Sequence, residues 1–245
     1  MTRLRSLLTV AVLATVAAPL SAQVRSALDK YPLPTTAKFK WNGVNSSMSS
    51  GCVDGTYNVG TVCVGPYSAM FNFNNQTPTG PAYDIFCVDF DHDAKTSGVQ
   101  NVYLTNVATG NLGYTRLGNT LGAQTKYMKA AWLANKFTAA NHTDWRNIHG
   151  AIWNIMYGVP AADNGITNWI NQANAAATAG YVGMDFGRWT VVTEQGSQGH
   201  GSNSDSYNQE YLVRTVVPEP ASLVLMGTGL LLTLFATGVL KRPTA

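Results

Sequence analysis

The chain has 245 residues, 45% of them hydrophobic and only 12% charged, with a formal net charge of +3. Four of its sixteen basic residues (Arg3, Arg5, Lys241, Arg242) and one of its thirteen acidic ones (Glu219) lie in the terminal segments, leaving twelve of each sign between them. A neutral body without a Lys/Arg stripe lacks the electrostatic footprint that phosphate backbones require, which excludes nucleic acid as a partner.

In chain order, Arg3 and Arg5 form a positive n-region, Leu7 to Ala18 an apolar h-region, and Pro19-Leu20-Ser21-Ala22 a cleavage site before Gln23. This is the pattern of a secretory signal peptide over residues 1–22, handled by signal peptidase and the export machinery. The body is residues 23–217, long enough for one domain with its own core. Its first part, to Ser50, carries Pro32, Pro34 and a serine-rich stretch, and reads as extended or loop structure. Short runs of β-branched and aromatic residues then predict strands over 56–64, 67–73, 83–90 and 99–107.

From Gln124 the apolar period becomes helical. The first helix reaches Phe137, with Tyr127, Ala131 and Trp132 near one stripe. A second is expected from Thr143 as N-cap, with Ile148, Ile152, Ile155 and Met156 on its apolar face and Gly158 then Pro160 ending it. A third runs from Asp163 as N-cap to Gly180. Strand character returns at 186–193 and 207–216, with a Gly/Ser-rich loop between. The predicted class is α+β: an antiparallel sheet, sandwich-like, with an inserted group of about three helices, plus one C-terminal transmembrane helix. No repeat with a period of about 20 to 50 residues points to a solenoid or propeller.

The cysteines are three in an exported body. Cys52 and Cys63 flank Asp54-Gly55, a turn signal, and a disulfide between them closes a small loop worth about 2 to 3 kcal/mol. Cys87 is left as a free thiol. It lies in Ile85-Phe86-Cys87-Val88-Asp89-Phe90-Asp91-His92-Asp93, the densest cluster of reactive side chains. Asp89, Asp91 and Asp93 have the spacing of a calcium loop, but Ala94 and Gln100 stand where it needs glycine and glutamate, so no metal site is assigned. As a plain strand, Phe86, Val88 and Phe90 share one face, and Cys87 and Asp89 the other.

Phe86-Cys87-Val88-Asp89, Lys129-Ala130-Ala131-Trp132-Leu133 and Ile148-His149-Gly150-Ala151-Ile152-Trp153 together resemble the thioester-domain pattern of bacterial surface adhesins. The resemblance covers about residues 83–157. In that family the cysteine bonds to a glutamine two residues before Ala-Ile-Trp, and the thioester acylates amines on a target surface. Here His149 occupies the glutamine's place, and an imidazole has no carboxamide with which to form a thioester. What the resemblance then implies is a surface scaffold without the covalent chemistry. A Cys87–His149 thiolate-imidazolium pair for hydrolysis or transfer is the enzymatic alternative. A third reading is a polysaccharide-binding module using Trp145, Trp153 and Trp169, if these are exposed.

The tail is the sharpest signal. Residues 221–240 carry no charge over a length that forms about 30 Å of helix, enough to span a bilayer's hydrocarbon core. Lys241 and Arg242 place its end in the cytoplasm by the positive-inside rule. Pro218-Glu219-Pro220, the apolar span and the Lys241-Arg242 cluster resemble the tripartite PEP-CTERM sorting signal of exported proteins in Gram-negative bacteria. That resemblance implies a sorting segment at 218–245, an exosortase-type processing enzyme as partner, and an inner-membrane-anchored precursor delivered to the cell surface or extracellular matrix. The expectation for the whole is therefore a non-enzymatic, cofactor-free surface or biofilm-matrix protein, structural or adhesive, with extracellular polysaccharide as a further partner.

Overall fold

A computed structural model describes residues 35–44, 53–57, 60–79, 82–199 and 207–214. The signal peptide, Cys52, Pro218, Glu219, Pro220, the 221–240 span, Lys241 and Arg242 all lie outside the described residues. Among those described, no helix is long and apolar enough to cross a membrane.

The elements in order are β1 (Thr35–Val44), β2 (Val53–Tyr57), β3 (Gly60–Val64), β4 (Tyr67–Asn72), β5 (Tyr83–Cys87), β6 (Gln100–Asn106), α1 (Ala123–Ala134), α2 (Trp145–Tyr157), α3 (Asn164–Thr178), β7 (Trp189–Glu194) and β8 (Tyr211–Arg214). Short 3-10 turns occupy Val107–Thr109, Ala139–Asp144 and Phe186–Arg188. Six strands close a barrel in the order β1-β4-β5-β8-β7-β6, every neighbouring pair antiparallel; β2 and β3 form a separate hairpin.

Closure corrects the sandwich expectation, and its cause is β1. The stretch before Ser50 reads as extended or loop structure because prolines and serines flank it, but Thr35–Val44 pairs with β4 on one side and β6 on the other. A sheet that bonds both its edges in this way has no free edge and needs no second layer. Its interior is filled by side chains. Phe39 lies 5.5 Å from Phe71 and 5.7 Å from Tyr211 between ring centroids, and Ala69, Ile85, Val102, Leu104 and Val192 are buried.

The three helices are those the sequence predicts, with displaced ends. Asp163 caps α3, its carboxylate accepting from the N–H groups of Gly165 at 2.9 Å and Ile166 at 3.1 Å. Gly158, at φ 74°, ends α2 in the left-handed region as a C-terminal glycine does. Thr143 is not the N-cap of α2; it lies inside the preceding 3-10 turn, and the helix begins at Trp145. Asp54 and Gly55 do not form a turn either. They pair within β2, Asp54 opposite Cys63. With Cys52 undescribed, the expected Cys52–Cys63 bond lies outside the described residues.

Aromatic contacts join the helices to the barrel. Phe86 on β5 meets Phe137 at 5.4 Å and Trp189 at 5.8 Å, and Phe90 meets Trp153 at 4.6 Å. Burying side chains of this size contributes roughly 1.5 to 3 kcal/mol each. Trp145 and Trp153 are therefore core residues, 1% and 2% exposed, which removes both from glycan stacking; Trp169 is half-buried.

Candidate functional site

The Cys87–His149 junction

β5 stops at Cys87, and the chain turns so that the Cys87 thiol donates to the Asp89 carbonyl at 2.9 Å. The two-residue alternation expected through Phe90 ends there, because a thiol bonded two residues ahead requires a turn rather than a pleat. His149 projects from α2 onto the same place. Its Nε2–H donates to the Cys87 carbonyl at 3.2 Å, and its Nδ1 accepts from the Gly65 N–H at 3.0 Å. Both ring nitrogens are thus held by backbone groups, which leaves neither for a substrate.

Gly65 makes the second contact possible. Its φ is +125°, and a Cβ there would stand 2.6 Å from Cε3 of Trp145. Only glycine lets the strand end approach α2 this closely. The His149 ring stacks on Trp153 at 4.7 Å between centroids.

The electrostatics oppose catalysis by this pair. Burial pushes the Cys87 thiol well above its ordinary value, with the Asp89 charge adding to the effect. Burial lowers His149 to about 3, against a weaker upward pull from its bond to the Cys87 carbonyl. A thiolate-imidazolium pair needs both shifts in the opposite direction. His149 reaches the Cys87 backbone carbonyl, whereas the thiol bonds the Asp89 carbonyl, and both residues are fully buried, which the sequence alone does not reveal.

A buried charge network beside it

Asp89, expected to share a strand face with Cys87, instead ends in a buried ion cluster. Nε of Arg116 lies 2.8 Å from its carboxylate and Nδ1 of His92 2.9 Å, while the Asp91 N–H donates at 3.1 Å. Arg116 reaches on to Nε2 of His92 at 3.1 Å and to the Asn208 carbonyl. These bonds give His92 the Nδ1–H tautomer, donating to Asp89 and accepting from Arg116. With its carboxylate committed to a guanidinium, Asp89 is not the first ligand of a calcium loop.

Glu210 sits at the head of β8, also fully buried. It accepts from the Arg116 backbone N–H at 2.9 Å, from the Thr193 hydroxyl at 2.6 Å and from the Tyr127 hydroxyl at 2.6 Å. Burial nevertheless raises its carboxyl pKa. These residues hold the 90s loop, the 116 loop, α1 and the last strand together. Sequence reading passes over Arg116 and Glu210 because each is a lone charge in an unremarkable stretch.

What the chain resembles

A family model matches residues 216–241. The tail is a PEP-CTERM protein-sorting motif. The match contains Pro218-Glu219-Pro220, the uncharged run and Lys241, the residues that carry the resemblance in the sequence. A PEP-CTERM tail implies export, membrane-associated sorting toward the cell surface and processing by an exosortase. No curated protein matches the chain. Among solved structures, the N-terminal thioester domain of a surface protein from Clostridium perfringens is weakly similar, with a TM-score of 0.36 and 12% identity, over 74% of this chain and 99% of that one.

Proposed function

We propose that this is an exported PEP-CTERM protein whose barrel body serves a structural or adhesive role at the cell surface or in the extracellular matrix, without catalysis by Cys87 and His149. The observation that carries the sorting half of the reading is the motif match over residues 216–241. In this reading the precursor is held in the inner membrane by residues 221–240, an exosortase-type enzyme processes it at the Pro218-Glu219-Pro220 boundary, and the body from residue 23 onward is released outward. The Cys52–Cys63 bond, formed in the oxidising exterior, belongs to the same reading; Cys63 stands opposite Asp54, two residues after Cys52.

Two observations support a non-catalytic body. The His149 imidazole is bonded on both nitrogens by backbone groups, and the Cys87 thiol is buried and held neutral. Pulse-chase labelling of the full chain in its native host tests the sorting reading. Pro218→Ala, or deletion of Lys241 and Arg242, is expected to leave uncleaved precursor in the inner membrane. Unchanged processing and release in both variants overturns it.

A further inference from the structure

We propose that a polar groove on the outside of the barrel, between β1 and β6, binds an acidic saccharide. The groove has a volume of about 520 Å³ and is lined by Thr36, Ala37, Lys38, Phe73, Asn75, Asn101 and Gln195. Its place follows from strand alternation. Ala37 and Phe39 are buried while Thr36 is exposed and Lys38 half-buried, so the latter two point outward. Lys38 pairs directly with Asn101 across β1 and β6, which puts an ammonium and a carboxamide side by side on the outer face.

The walls are held by bonds that do not use the lining side chains. Asn72 accepts from the N–H groups of Asn74 at 2.8 Å and Gln76 at 3.2 Å, which fixes the loop carrying Phe73 and Asn75. On the other side the Gln195 N–H donates to the Asn101 carbonyl at 2.9 Å, and Glu194 beside it is paired with Lys95 at 2.7 Å. The bonds that fix these walls engage the Asn72 carboxamide, backbone groups and the Lys95–Glu194 pair, and none of them uses the side chains of Asn75, Asn101, Gln195 or Lys38. A preformed concavity lined by donors and acceptors is what a polar ligand needs.

The lining chemistry selects the class. Three carboxamides and a threonine match vicinal hydroxyls, since each amide both donates and accepts. Phe73 offers an aromatic ring to the C–H face of a pyranose. Lys38 supplies the one positive charge, and no carboxylate lines the groove to repel an anion, so a hexuronate fits better than a neutral sugar. The proposal names a ligand for the surface body proposed above and rests on that reading for where the ligand is met. Binding is tested on purified protein, so it stands or fails apart from processing of the tail.

The test is calorimetric titration of the full chain in detergent micelles with short oligogalacturonates, with neutral dextran oligomers as the comparison. Saturable binding of the hexuronate is expected, with dextran at least about tenfold weaker. Lys38→Ala, and separately the pair Asn101→Ala with Gln195→Ala, should each weaken binding about tenfold or more, while Lys40→Ala, on the same strand but outside the groove, leaves it unchanged. All variants should keep the parent's near-ultraviolet circular dichroism, since they alter surface positions. Absence of saturable binding, equal binding of dextran, or retained affinity in both groove variants overturns the proposal.

Discussion

His149 and Cys87 meet through the ring of one and the backbone of the other: Nε2 of His149 lies 3.2 Å from the Cys87 carbonyl oxygen, and the histidine's second nitrogen takes the Gly65 N–H at 3.0 Å. The imidazole therefore works as a clamp between the end of β5, the bend at Gly65 after β3, and α2. It satisfies two backbone groups that would otherwise be buried without partners.

The first prediction concerns reactivity. Native protein treated with iodoacetamide at neutral pH should show no labelling of Cys87 by peptide mass mapping, whereas denatured protein labels it fully. Rapid labelling of the folded protein would mean a thiolate is accessible, and the non-catalytic reading of the body would be abandoned.

Stability should fall with acid, and the sign follows from the clamp. The folded state keeps His149 neutral down to about 3, while the unfolded chain protonates it near 6.5. Between those values the unfolded state binds the extra proton, so stability is present above pH 6.5 and is lost as pH drops below it, by up to about 1.4 kcal/mol per pH unit. Glu210, with its raised carboxyl, acts in the opposite sense over the range between its unfolded and folded values. Urea unfolding between pH 7 and pH 5 should show the loss, and His149→Asn should flatten the slope even though its overall stability is lower. A wild-type slope retained in that variant refutes the assignment.

Breaking the Asp89–Arg116 pair should be severe. Both side chains are 0% exposed, so Asp89→Ala leaves an uncompensated buried guanidinium and costs about 3 to 5 kcal/mol. Adding Arg116→Leu removes that charge, and the double variant should lose less than the sum of the singles. Strict additivity in denaturant unfolding would show that the pair is not coupled.

Gly65→Ala tests the close approach of strand and helix. The new Cβ meets the Trp145 ring at 2.6 and 2.9 Å and adopts a φ that side chains avoid, so a loss of about 2 kcal/mol or more is expected in thermal or urea unfolding. Gly98→Ala, whose Cβ meets nothing within 4 Å, provides a control that carries the φ penalty alone. Equal losses in the two would show that packing against Trp145 is immaterial.

Helix ends were legible where one residue carries the whole signal. Asp163 offers a carboxylate to two free N–H groups, and Gly158 accepts a left-handed φ; both are local properties of a few consecutive residues. Thr143 failed as a cap because the preceding segment found a 3-10 turn closed by Thr138 and Asn141 instead. Among strands, the hydrophobic runs located β4, β5 and β6 to within a few residues. β1 escaped because prolines and serines border it, although its own residues alternate outward and inward from Thr36 to Phe39.

By itself the sequence determined the address and the roster of parts: a tail with the PEP-CTERM order, which the family model matches, three helices, and a neutral body. Such features depend on composition and spacing over one segment at a time. Only the tertiary structure decided that the sheet closes into a barrel, that Cys87 and His149 are sealed rather than exposed, and that Asp89, Arg116 and Glu210 share one buried network. The reason is separation along the chain. His149 reaches Cys87 across 62 residues and Glu210 reaches Asp89 across 121, and burial at such contacts is set by what folds over them, which no local pattern encodes.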